Sequence, residues 1–299
     1  MSTRLRGSIV ALVSPMHGDG SLDLAAFDRL IEWHVKSGTN AVVVVGTTGE
    51  SATLTVQEHC DLVAHCVKVV NGRIPVIAGT GSNSTDEAVY FTESAREHGA
   101  DACLLVTPYY NKPSQEGLYR HFKAVAEQVA IPQILYNVPG RTACDLKLET
   151  VERLADLENI VGIKDATGDI PRGLELIAKC GDRLAVYSGE DAITLPLMLG
   201  GADGTISVTA NVAPAMMAQM CALAGSGKEA AARAVDDKLA LLHRNLFLEA
   251  NPVPVKWALL KMGLIEEGIR LPLVELDAKY HIQVSEALSC AGIQLSEAA

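Results

Sequence analysis

The 299-residue sequence contains no Cys-x-x-Cys pair, and its seven cysteines (60, 66, 103, 144, 180, 221 and 290) are scattered and odd in number. That pattern excludes a disulfide framework and a cysteine-based zinc site, and it suits a reducing compartment. His59 and His65 stand too far out of helical phase to share a face, so no metal is implied. No stretch reaches the ~18 uninterrupted apolar residues of a bilayer span. There is no basic excess either: the formal net charge of −11 argues against a nucleic-acid or anionic-membrane partner. The first seven residues, Met-Ser-Thr-Arg-Leu-Arg-Gly, lead toward a strand without a signal-peptide pattern, and the expectation is a soluble, cytoplasmic protein. Low-complexity tracts and flexible linkers are also missing.

What is present is ample core material, 48% hydrophobic residues, in a regular arrangement. Short β-branched runs recur at 9–13, 41–45, 75–78, 102–106, 133–136, 160–164, 184–187 and 204–208, spaced by about one strand plus one helix. Helical patterns fall between them, as at 24–36, 56–70, 85–97 and 115–128. Asn83-Ser84-Thr85-Asp86-Glu87 is a helix-start pattern, and Gly38 and Gly99 are stops. Eight β/α units in a row predict an α/β fold, a (β/α)8 TIM barrel of roughly 250 residues counted as one domain. A doubly wound open sheet is the alternative. It is disfavoured because no Gly-x-Gly-x-x-Gly turn follows the first strand. After residue 208 the pattern is helical only (214–223, 228–249, 251–262 and a helical tail). The expected division is a catalytic barrel over 1–225 and a C-terminal helical extension over 226–299, a candidate oligomer contact.

Lys164 is the least expected residue in this frame, because it ends the apolar run Ile160-Val161-Gly162-Ile163. A buried parallel strand is nearly continuous in apolar residues. Desolvation there favours the neutral amine, a nucleophile able to form an imine with a carbonyl substrate. The competing reading is a lysine that snorkels to water. In a barrel the chemistry gathers at the C-terminal strand ends. Those ends carry Gly46-Thr47-Thr48-Gly49-Glu50-Ser51, Thr107-Pro108-Tyr109-Tyr110-Asn111-Lys112-Pro113, Tyr136-Asn137-Val138-Pro139-Gly140-Arg141-Thr142, Lys164, Ser188-Gly189-Glu190 and Ile206-Ser207-Val208. The glycine-flanked turn can aim N–H groups and hydroxyls at a carboxylate, or it is an ordinary βα turn. Tyr136 can move protons for Lys164 from the neighbouring strand, or it is a core tyrosine with a satisfied hydroxyl. Arg141 offers a planar fork for a second carboxylate, or it is a solvated loop residue. Tyr109 and Tyr110 could instead be stacked loop anchors. Asp165 points to the opposite face from Lys164 and reads as structural.

Taken together, Gly46-Thr-Thr-Gly-Glu-Ser51, Thr107-Pro-Tyr-Tyr-Asn-Lys-Pro113, Tyr136-Asn-Val-Pro-Gly-Arg-Thr142 and Gly162-Ile-Lys-Asp-Ala-Thr-Gly168 resemble the dihydrodipicolinate synthase family of pyruvate-dependent class I aldolases, from about residue 5 to 275. The resemblance implies a lyase of lysine and diaminopimelate biosynthesis. Such an enzyme condenses pyruvate with L-aspartate 4-semialdehyde to 4-hydroxy-tetrahydrodipicolinate through a lysine Schiff base. It implies no cofactor or metal, and a homotetramer built as a dimer of dimers. Lys164 would carry the imine, with Tyr136 relaying protons through Thr47 and through Tyr110 reaching in from a neighbouring subunit. Thr48 and the backbone near Ile206 would hold the pyruvate carboxylate, and Arg141 that of the semialdehyde.

N-Acetylneuraminate lyase and the 2-keto-3-deoxy sugar-acid aldolases share the lysine, tyrosine and glycine-rich turn. Arg141 and the Tyr109-Tyr110 pair favour the synthase, because a polyol tail calls for hydroxyl partners more than for a second cationic fork. A non-catalytic sensing barrel would be marked by loss of the lysine or tyrosine, and both are present. The resemblance further implies an allosteric L-lysine site at Ser51, Ala52, His59, Asn83, Glu87 and Tyr109. Val56 departs from it, standing where some sensitive members carry a second histidine.

Overall fold

The computed structural model describes residues 4–296. Its eight strands are β1 (Gly7–Ala11), β2 (Ala41–Val44), β3 (Val76–Gly79), β4 (Ala102–Val106), β5 (Gln133–Asn137), β6 (Ile160–Asp165), β7 (Ala185–Ser188) and β8 (Gly204–Ser207). All pair in parallel, in chain order, and β8 closes on β1. Each expected run forms its strand, displaced by at most two residues. The four helices expected from periodicity are present as Leu24–Lys36, Val56–Val70, Thr85–Glu97 and Gln115–Gln128. Local chemistry fixes where they start. Thr55 and Glu58 form a reciprocal capping box, and the Ser84 and Ser114 hydroxyls accept from Glu87 and Gly117 amides.

Strand alternation sorts side chains into two cores. Ile9, Val43, Leu104, Ile134 and Ile206 fill the barrel interior. Val10, Val42, Val44 and Leu135 face outward beneath the helices. β6 departs from simple alternation. Its register against β5 shifts by one residue, from Gln133↔Ile160 to Ile134↔Gly162. Ile160 belongs to the outer core, so unbroken alternation would send Lys164 outward with it. The extra residue at Val161–Gly162 resets the phase, and Lys164 comes opposite Tyr136 on the inner face. Gly162 suits this crowded point, since a Cβ there would lie 2.9 Å from the Ala185 carbonyl oxygen and 3.2 Å from the Tyr187 ring.

Beyond β8, the helix Pro214–Gly225 packs on β1 and completes the outer ring. Helices Glu229–Asn245, Val253–Lys261 and His281–Cys290 follow. They bury Leu239, Leu242, Val255, Leu259, Val284 and Leu288 in the same core as the outer barrel face. The helical tail expected after residue 262 does not start there. Residues 262–277 are irregular, broken by Gly263, Gly268 and Pro272. Gly268 passes so close to the barrel that a Cβ would lie 2.3 Å from the Met16 carbonyl oxygen. This segment crosses the rim and sets Arg270 against the Gly20 and Thr53 carbonyls and the Glu58 carboxylate. Arg270 holds the Glu58 carboxyl down at about 2. Among the described residues, no helix is long and apolar enough to cross a membrane.

Candidate active site

The loop after β2 is built on strain and close approach. Val45, β-branched, takes a left-handed φ of 49°. Gly79 at the end of β3 makes room for it, since a Cβ there would sit 2.4 Å from the Val45 carbonyl oxygen. The chain then doubles back, with the Gly49 amide donating to the Gly46 carbonyl at 3.0 Å. This turn carries Thr47 and Thr48 inward and drives Glu50 down into the protein. The buried Glu50 carboxylate accepts from Lys256 Nζ and, at 3.2 Å, from the Arg270 amide. Lys256 also donates to the Ser14 carbonyl at 3.1 Å, and burial holds its ammonium below the usual lysine range while Glu50 opposes that fall.

Lys164 is only 5% exposed, and its Nζ lies 4.4 Å from the centroid of the Tyr136 ring. Its aliphatic stem runs across Gly189, where a Cβ would stand 2.9 Å from Lys164 Cε. Asp165 points away, as expected. It accepts from Thr167 and Asn137 and pairs with Arg172 at 3.0 Å, which ties the ends of β5 and β6 together. Arg141 sits in a single helical turn, Pro139–Thr142, rather than an open loop, and its Nη2 donates to the Asn251 carbonyl at 3.1 Å.

These groups meet in one cavity of about 160 Å³, lined by Thr47, Thr48, Tyr136, Arg141 and Lys164 among others. It falls below the ~300 Å³ typical of drug-sized ligand sites and suits a small acid. Ile206 is buried on β8 with its side chain in the barrel interior; it does not line the cavity, which Val208 reaches from just past the end of the same strand. Tyr110 does not line the cavity within this chain. It stands 89% exposed with a left-handed φ of 72°.

The second group of residues lies apart from this cavity. Ser51 and Ala52 form a tight turn, and Asn83 is linked to the Tyr109–Asn111 bend by the Asn111 amide at 2.8 Å. Glu87 accepts from Ser82 Oγ at 2.7 Å. His59 stacks on Phe91 with its Nε2 at 2.9 Å from the Gly79 carbonyl, and burial lowers its pKa to about 4. The ring is therefore neutral at pH 7. Because a carbonyl only accepts, Nε2 carries the proton and Nδ1 remains an acceptor. Among the described residues, one trio, His17, Asp23 and Glu266, brings potential metal-ligand atoms within 4.8 Å of one another. Asp23 is already a helix cap, and His17 pairs with Glu266 at 3.0 Å.

Two of the polar side chains that line the cavity, Glu190 and Asn251, carry no role in the sequence reading. Glu190 was visible as a rim residue; its carboxyl is pushed up by burial and by Asp191, against the pull of Lys164. Asn251 comes from the helical extension, where no strand-end rule could find it.

A family model described as the dihydrodipicolinate synthetase family matches residues 4–291. The 4-hydroxy-tetrahydrodipicolinate synthase of Thioalkalivibrio sulfidiphilus is 61% identical over 290 residues, which is 97% of this chain and 99% of that protein. The chloride-inhibited dihydrodipicolinate synthase of Acinetobacter baumannii, solved in complex with pyruvate, superposes with a TM-score of 0.96 at 56% identity, covering 97% of this chain and all (100%) of that one. The enzyme of Cyanidioschyzon merolae, solved with lysine bound, gives 0.93 at 36% identity, covering 98% and 100%.

Proposed function

Since the chain belongs to the dihydrodipicolinate synthetase family, we propose that it condenses pyruvate with L-aspartate 4-semialdehyde, releasing water and 4-hydroxy-tetrahydrodipicolinate. The observation that carries the reading is a buried Lys164 amine facing the Tyr136 ring in a small cavity that also holds Thr48 and Arg141. The amine attacks pyruvate C2, and loss of water gives the imine. Once protonated, the imine is an electron sink, so a methyl proton leaves toward Tyr136 and an enamine forms. The enamine carbon attacks the semialdehyde carbonyl. The substrate's own amine then displaces Lys164 and closes the ring. Because the iminium supplies the electron sink, the steps require no metal or cofactor.

In this assignment Thr48 and the backbone near Ile206 bind the pyruvate carboxylate, and Arg141 binds that of the semialdehyde. Thr47 and Tyr110 extend the proton relay, Tyr110 from a neighbouring subunit of a homotetramer. Its exposure in the single chain is what that role needs. In this division residues 1–225 supply every group assigned to a chemical step, the part from 226 onward is the C-terminal extension that lends Asn251 to the cavity wall, and the enzyme works in the cytoplasm.

The expected outcome is turnover with aspartate semialdehyde and none with N-acetylmannosamine, read as pyruvate consumption; the reverse preference would favour a sugar-acid lyase. Arg141→Ala should lower kcat/KM for the semialdehyde roughly 10- to 100-fold, the worth of a hydrogen bond to a charged group. The yield of borohydride-trapped pyruvate should stay within about twofold. Equal damage to both steps would reassign the arginine.

We assign Ser51, Ala52, His59, Asn83, Glu87 and Tyr109 to an L-lysine feedback site. A neutral His59 whose Nδ1 can accept suits an ammonium ligand better than an imidazolium would. Lysine titration should give partial inhibition, weakened by Val56, which is exposed and apolar. Full activity at saturating lysine would remove this assignment.

A further inference from the structure

We infer that Asn251 is a positioning residue that fixes the direction of the Thr48 hydroxyl proton and so prepares it to meet a carboxylate. This rests on the assignment of Thr48 to pyruvate. Asn251 Nδ2 donates to Thr48 Oγ1 at 2.9 Å, and both residues are almost fully buried at the cavity wall. An amide nitrogen only donates, so Thr48 Oγ1 accepts here. Its own proton is therefore not directed at Asn251, and no other partner engages it among the described contacts. It is left for an acceptor in the cavity. A hydroxyl with no such neighbour would rotate among several acceptors and lose part of its value to the ligand.

The amide orientation follows from its surroundings. Asn251 Oδ1 is buried without a partner. Turning the amide over would place two N–H donors there instead of one acceptor, which is the costlier arrangement to leave unmade. The same residue's backbone carbonyl receives Arg141 Nη2 at 3.1 Å. One residue of the C-terminal extension therefore touches both groups assigned to substrate carboxylates. That is a role distinct from packing, and it makes a directional prediction that packing does not.

The test compares Asn251→Ala with Asn251→Asp, reading the pyruvate concentration that gives half-maximal borohydride-trapped adduct and, separately, kcat. Alanine frees the hydroxyl and should raise that concentration several-fold. Aspartate accepts where asparagine donates, draws the Thr48 proton away from pyruvate and should be worse, on the order of 100-fold. Aspartate no worse than alanine would overturn the proposal. A bare negative charge would also repel pyruvate, so the aspartate change is repeated on Thr48→Val. Its penalty over alanine should largely vanish there, and a penalty that persists in full would again overturn the assignment. Should Asn251→Asp fail to fold, Asn251→Ala on Thr48→Ser and on Thr48→Val replaces it. The loss must appear with serine and disappear with valine. Absence of any adduct on folded wild-type protein would remove the pyruvate reading itself, and the proposal with it.

Discussion

Borohydride reduction with pyruvate should add one reduced pyruvate per chain to the wild-type protein and none to Lys164→Ala, read by intact mass. Turnover by the variant should fall on the order of 10⁴- to 10⁶-fold, the scale seen when a covalent nucleophile is removed. Two features of the site make the effect this large. The Lys164 amine is buried against Tyr136 and Gly189, so no second lysine can substitute from the rim. Among the described residues Lys256 is the other buried lysine, and Glu50 and the Ser14 carbonyl already hold its ammonium. Pyruvate should still bind weakly to Lys164→Ala through its carboxylate. An adduct on the variant would mean that another amine carries the imine.

Lys256→Met should be strongly destabilising. Methionine keeps most of the volume but leaves Glu50 buried with the Arg270 amide as its hydrogen-bond donor and, as compensating charge, the Arg270 guanidinium already paired with Glu58. Removing one partner of a buried ion pair costs about 3–5 kcal/mol, because the remaining charge is uncompensated. In a chain of this size that loss lowers Tm on the order of 10 °C. The double change Lys256→Met with Glu50→Gln should recover much of the loss, since no charge is then stranded. Activity should fall along with stability, because Glu50 anchors the turn that presents Thr47 and Thr48. A Tm within about 2 °C of wild type for the single variant would mean that Glu50 reaches water when unpaired.

The barrel was legible because period and punctuation agree along most of the chain. The start pattern around Ser84 and the helical period at 56–70 and 115–128 agree with the observed bounds, and Thr55 with Glu58 and Ser114 prove to be the caps. The rim residues were legible for a related reason: in a barrel the strand ends converge wherever the strands themselves are found. Lys164 illustrates the limit. Its inward direction depends on one inserted residue at Val161–Gly162, and alternation counted from Ile160 gives the opposite face. No pattern in six residues distinguishes a bulge from a regular strand. Asn251, Lys256 and Arg270 were out of reach for a different reason. They act on the loop after β2 from across the chain, so neither helical period nor strand spacing connects them to it. The irregular stretch around Arg270 falls inside the expected helical tail, although Gly263, Gly268 and Pro272 argue against a helix there.

Glu50 and Lys256 are separated by 206 positions in the chain. On a ribosome adding roughly 5–20 residues per second, the carboxylate is made about 10–40 s before the ammonium that neutralises it. Until then the nascent turn cannot sink into the protein without stranding a charge, so it stays hydrated and open. A chain stalled between residues 164 and 256 therefore owns its lysine and tyrosine but lacks a finished seat for an acid. The order of synthesis therefore makes the acid-binding turn one of the last parts of the site to settle.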